Sequence, residues 1–190
     1  MKLLLATDKR NGISRLMDAA AASGWQVISP AISPGLVSIE VSAMRPDALV
    51  VLADSVTPTV LQQLRIIHLQ TPLPVVLLTT DATPDAIGKA IKAGVNAYVA
   101  GCSEPARIGH LLEVARARFV EFQAMRTELE TTKKLLAERK RIERAKGILM
   151  KSRNLEENAA YHLLRKLAMD RNKRLGEIAD QIINTADLLL

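Results

Sequence analysis

Five short apolar runs, Leu3–Ala6, Val27–Ile28, Ala48–Ala53, Val75–Thr79 and Ala97–Ala100, recur through the first 118 residues with helix-spaced amphipathic stretches between them. This alternation constrains the fold more than any other feature of the chain. Strands joined through helical crossovers lie parallel, and a parallel sheet has to be covered on both faces. Residues 1–118 are therefore expected to form an α/β domain around a five-stranded parallel sheet. The remaining residues of a 190-residue chain suffice for a small appendage and not for a second domain of average size.

The start, "MKLLLATDKR", carries a cation and an apolar run, but Asp8, Lys9 and Arg10 end that run before a signal-peptide core is complete. No later segment holds the roughly 18 unbroken apolar residues that a spanning helix needs. The single cysteine, Cys102, has no second thiol with which to form an intramolecular disulfide or a Cys-rich zinc site. The expectation is a cytoplasmic protein with no membrane span, metal or cofactor.

From Phe119 to Leu136 Gly and Pro vanish, and Phe122, Met125, Leu129 and Leu136, with Thr132 between them, fall on a heptad seam. Two readings fit residues 119–136: a coiled-coil connector joining two copies, or a helix lying along its own domain. Residues 137–190 carry three helix patterns. Ile142, Ala145 and Leu149 line the first. Ala160, Leu163, Leu164 and Leu167 line the second, with Asn154 and Glu157 spaced as a capping box, and Leu175, Ile178, Ala179, Ile182, Ala186 and Leu189 line the third.

Charge is unevenly shared. Residues 1–118 hold eleven cations against nine carboxylates and residues 119–136 three against three, whereas residues 137–190 hold twelve against eight. On the first helix of that last segment Lys140, Arg144, Gly147 and Lys151 follow i, i+4, i+7 and i+11, away from its apolar line. Arg165, Lys166, Arg171, Lys173 and Arg174 gather toward the end of the second. Several cations held together repel one another unless an anion joins them, so a polyanionic partner is expected. Gly147, costly in a helix interior, reads either as a site of tight helix packing or as one where a ligand backbone approaches. Tyr161 reads first as a core-edge residue and second as a stacking one.

The five alternating strands, Thr79 after "PVVLL", and "AGVNAYV" before the last strand resemble the response-regulator receiver, a flavodoxin-like fold. That resemblance implies an acidic pair after the first strand, an aspartate nucleophile after the third, a hydroxyl after the fourth and a lysine after the fifth. Carboxylates ligate Mg²⁺, one of them takes the phosphoryl group, and the cations offset its charge. Here Thr7 and Asp8 supply one carboxylate, Leu52 stands at the nucleophile position, Thr79 matches the hydroxyl, and Gly101 replaces the lysine. The domain reads as a pseudo-receiver without catalytic chemistry. Asp54 is a weak phosphoacceptor candidate, two residues beyond Leu52.

The stretch from Arg141 to Ile183, with "AKGILM" at its centre, resembles the ANTAR domain, an RNA-binding antitermination module. With the degenerate receiver and the seam, it is similar to the AmiR-like and NasT-like regulators of amide and nitrate assimilation. The resemblance implies binding to paired hairpins of a leader mRNA, which keeps a terminator from forming, and control by a separate NasS-like ligand-sensing protein. The outward-facing cations Lys140, Arg144, Lys151, Arg165, Arg171 and Lys173 are expected to form the RNA grip, and the seam of Phe122, Met125, Leu129 and Leu136 to join a homodimer. The expected domains are 1–118, 119–136 and 137–190: pseudo-receiver, coiled-coil connector and three-helix ANTAR domain. Three small helices also build DNA-binding domains, so a DNA-binding response regulator stays open as the alternative, as does antitermination of another catabolic operon.

Overall fold

The computed structural model describes residues 1–7, 13–101 and 105–187. Asp8, Lys9, Arg10, Cys102 and Leu189, singled out above, lie outside the described residues. Strands β1 (Lys2–Thr7), β2 (Gln26–Ile32), β3 (Ala48–Ala53), β4 (Val75–Thr79) and β5 (Ala97–Ala100) alternate with helices α1 (Ile13–Ala22), α2 (Val37–Met44), α3 (Pro58–Gln70) and α4 (Pro84–Lys92). All pairings are parallel, in the order β2-β1-β3-β4-β5. This five-stranded parallel sheet is the receiver architecture expected from the sequence.

Alternation along the strands splits the core into two layers. Leu3, Leu5, Ala48, Val50, Val76 and Leu78 pack with Leu16 and Ala20 of α1, with Trp25, and with Ile108, Leu112 and Ala115. Leu4, Ala6, Leu49, Val51 and Leu77 pack on the opposite face with Val41, Leu64, Ile67 and Ala90 from α2, α3 and α4. Two of the covering helices begin alike. The Thr57 and Thr83 hydroxyls accept hydrogen bonds from the amides of Val60 and Ala86, both at 3.3 Å, and a proline opens the first turn of each helix.

Strand β2 runs longer than the expected Val27–Ile28. It is an edge strand with two register shifts against β1 and includes Pro30, which an edge position tolerates.

Beyond a short 3₁₀ turn, one helix, α5, runs from Ile108 to Arg153, followed by α6 (Glu157–Asp170) and α7 (Leu175–Asp187). The chain forms two compact units, residues 1–123 and 124–190, and the division falls within α5. The changes of texture at Phe119 and Ala137 coincide with no end of secondary structure. Phe122, Met125, Leu129 and Leu136 lie well exposed on this helix. Among the described residues no helix is long and apolar enough to cross a membrane.

Candidate nucleic-acid interface

The second unit is held by a small core. Ala145 and Leu149 of α5, Ala160, Leu164 and Ala168 of α6, and Ile178, Ala179 and Ile183 of α7 are buried together. The apolar lines read from the sequence turn inward as expected from Ile142 through Ile182, with Ala168 and Ile183 added to them. Half of this core is alanine, which lets the helix backbones approach closely. At Gly176 an added Cβ would meet the Glu138 carboxylate at 2.9 Å.

Two asparagines turn the chain between helices. Asn154 (φ 51°) follows α5 and Asn172 (φ 49°) follows α6, both in the left-handed region that asparagine tolerates better than most residues. In each case the next amide reaches back five residues, Leu155 N–H to the Met150 carbonyl at 3.2 Å and Lys173 N–H to the Ala168 carbonyl at 2.9 Å, the Schellman pattern. Asn154 is therefore a helix C-terminal residue and not half of a capping box. The residue capping α6 is Glu156, which makes no side-chain cap bond.

The Glu157 carboxylate is engaged elsewhere. It accepts from Lys146 Nζ at 2.7 Å, and Glu143 accepts from the same ammonium, so that α5 and α6 are clamped at their junction. Lys146 is 8% exposed, whereas both carboxylates remain solvated. Its hydrogen bonds to Glu143 and then Glu157 raise the lysine pKa above its ordinary value, and the bond from Lys146 lowers that of Glu157. A second pair, Arg141 Nη1 to Asp180 Oδ2 at 2.6 Å, ties α5 to α7. Lys146 and Arg141 are thus structural cations.

The six residues expected to grip RNA, Lys140, Arg144, Lys151, Arg165, Arg171 and Lys173, are all exposed. Among the described residues, Lys140, Lys151, Arg165 and Lys173 form no ion pair. Arg171 ends α6 and donates from Nη1 to Gln181 Oε1 at 3.1 Å. It also lines an apolar cleft of about 480 Å³ with Arg153, Leu167, Ile178 and Ile182. The turn carrying Arg171 and Lys173 leads directly into α7, whose first turns meet α5 at Glu138 and Arg141. Lys140 belongs to that end of the unit, and Lys151 lies three helical turns farther along α5.

Two sequence expectations change here. No helix packs over Gly147: an added Cβ would have no atom within 4 Å. Gly147 lies on the same helix as Lys140, Arg144 and Lys151, beside open space. Tyr161 is not tucked at a core edge but is 41% exposed.

In the first unit, register pairs Thr7 with Leu52 and Ala53 with Thr79 at the carboxyl edge of the sheet, where sites of this architecture lie. Leu52, expected at the nucleophile position, is an aliphatic residue of β3, and Gly101, just past β5, offers no side chain. The buried Thr79 hydroxyl donates to the backbone carbonyl of Asp54 at 3.0 Å, and the Thr80 hydroxyl does so at 2.8 Å. Incubation with acetyl phosphate and Mg²⁺ is expected to leave the chain without a stable phosphoryl label; stoichiometric labelling lost in Asp54→Ala would overturn this.

Residues 130–183 match the family model described as the ANTAR domain, which this chain therefore carries. Over 115 residues the chain is 33% identical to the transcriptional regulatory protein PdtaR of Mycobacterium tuberculosis, covering 59% of this chain and 55% of that protein. Over 78 residues it is 40% identical to the nitrate regulatory protein of Klebsiella oxytoca, covering 41% of this chain and 20% of that protein. The match thus spans about half the length of the first relative and a fifth of the second. Among solved structures, the receiver domain of a Francisella response regulator aligns with a TM-score of 0.52 at 15% identity, covering 62% of this chain and 97% of that one.

Proposed function

We propose that this chain is a transcription antiterminator that binds hairpins in a leader mRNA and prevents a terminator from forming. The observation that carries the reading is the coincidence of the ANTAR match with the exposed cations Lys140, Lys151 and Arg165 on α5 and α6, which form no ion pair among the described residues. The inward apolar lines fix which faces are solvated, and unpaired loops offer such a face both phosphates and accessible base edges. The receiver-like domain serves as a protein-binding surface. The protein works as a homodimer under a ligand-sensing regulatory partner, and the similarity to the nitrate regulatory protein of Klebsiella oxytoca supports nitrate or nitrite assimilation genes as its targets.

Binding of loop-containing RNA and of duplex DNA to the full-length chain separates this reading from a DNA-binding regulator. Arg144→Ala and Arg165→Ala should each weaken hairpin binding while leaving helical content and oligomeric state intact. For each phosphate contact removed, the slope of log K against log salt should fall by roughly 0.7 for unpaired RNA. If both variants bind hairpins as tightly as the parent near physiological salt, this face is not the grip. Preference for duplex DNA would favour the DNA-binding regulator.

A further inference from the structure

Along α6, Tyr161, Arg165 and Met169 succeed one another at i, i+4 and i+8, and all three are exposed, with His162 and Lys166 exposed beside them. Tyr161 is the sole aromatic residue of residues 124–190 outside the histidine class, and it is no part of the buried core that α6 shares with α5 and α7. Its hydroxyl bonds to no described residue. His162 meets the ring at 63°, with centroids 6.4 Å apart, and does not stack on it. A ring 41% exposed and outside the buried core is thus held on a rigid helix, on a cationic face, with no hydrogen bond to a described residue.

We propose that Tyr161 is a stacking platform for an unpaired base of the bound RNA, with Arg165 one turn along taking an adjacent phosphate. This rests on the RNA-binding reading above. Bases in a loop can be splayed from their own stack and laid on an aromatic side chain, and a cation one helical turn away is placed for the backbone that carries the base. Exposed Met169 extends the apolar strip at its other end.

The test uses the full-length chain and hairpin RNAs that it retains from a pool with randomised loops. Tyr161→Phe keeps the ring and should bind within about twofold of the parent, whereas Tyr161→Leu keeps apolar bulk without a ring and should bind about tenfold more weakly. An abasic residue at one loop position should cost the parent about tenfold and add less than about twofold to the Tyr161→Leu deficit, a coupling that a merely structural tyrosine would not produce. The platform is overturned if Tyr161→Leu binds like the parent, or binds weakly with the abasic penalty intact. It is overturned alone if Arg144→Ala loses hairpin affinity while Tyr161→Leu does not. If the parent retains no hairpin from the pool, the RNA-binding reading falls together with it.

Discussion

Leu129→Glu is expected to sediment as a monomer and to bind a two-hairpin RNA about a hundredfold more weakly than the parent, with its affinity for a single hairpin unchanged. In one copy of the chain Phe122, Met125, Leu129 and Leu136 are 49–58% exposed along α5, with Val120 and Leu135 exposed off the seam. Four large apolar side chains on one seam of α5 lose contact with water when a second helix packs against them, and a carboxylate at the middle position would be buried unpaired. The RNA effect follows from linkage: two ANTAR domains on one dimer turn the second hairpin's binding into an intramolecular event. Phe122 is already partly engaged, its ring 5.9 Å from that of His68, so Leu129 is the cleaner place to break the seam. A parent that sediments as a monomer, or a variant that stays dimeric, removes the connector from the mechanism.

Much of this architecture is legible in the residues, and the exceptions share a cause. β3 and β4 coincide with their apolar runs because buried parallel strands leave no polar interruption, and the half-buried edge strand β5 coincides with its own. Pro30 and the edge irregularity of β2 obscure its length. The single helix through Ile108–Arg153 is hidden because its surroundings change along it: Ile108, Leu112 and Ala115 pack on the sheet, the middle is solvated, and Ala145 and Leu149 enter a second core. Asn154 suits a helix start as well as a helix end, and only its positive φ decides between them. Lys146 looks like one more surface cation. Its spacing from Glu143 hints at an ion pair, but its burial beside Glu157 depends on how α6 folds back. Gly147 and Tyr161 show the limit most plainly, since their surroundings are set by neighbours distant in sequence: no described atom crowds Gly147, and Tyr161 stands outside the buried core.

Leu164→Ala should unfold the ANTAR helices while leaving the receiver-like domain intact, abolishing RNA binding altogether. Leu164 and Ile178 are the large, fully buried side chains of a core in which alanine fills half the positions. Truncating a buried leucine typically costs about 2–5 kcal/mol, because the cavity adds to the lost transfer energy. A core serving fewer than about 70–80 residues rarely supplies more than about 3–5 kcal/mol in total, so one such truncation consumes most of it. The two units can be followed separately. The only tryptophan, Trp25, is 2% exposed beneath the sheet of the first unit, and its fluorescence reports that unit alone. The Trp25 unfolding transition should match the parent's, while far-ultraviolet ellipticity falls by part of the helical signal already at room temperature. If ellipticity and RNA affinity both survive in Leu164→Ala, the helices are stabilised by something other than this core; if the Trp25 transition moves with them, the two units do not unfold independently.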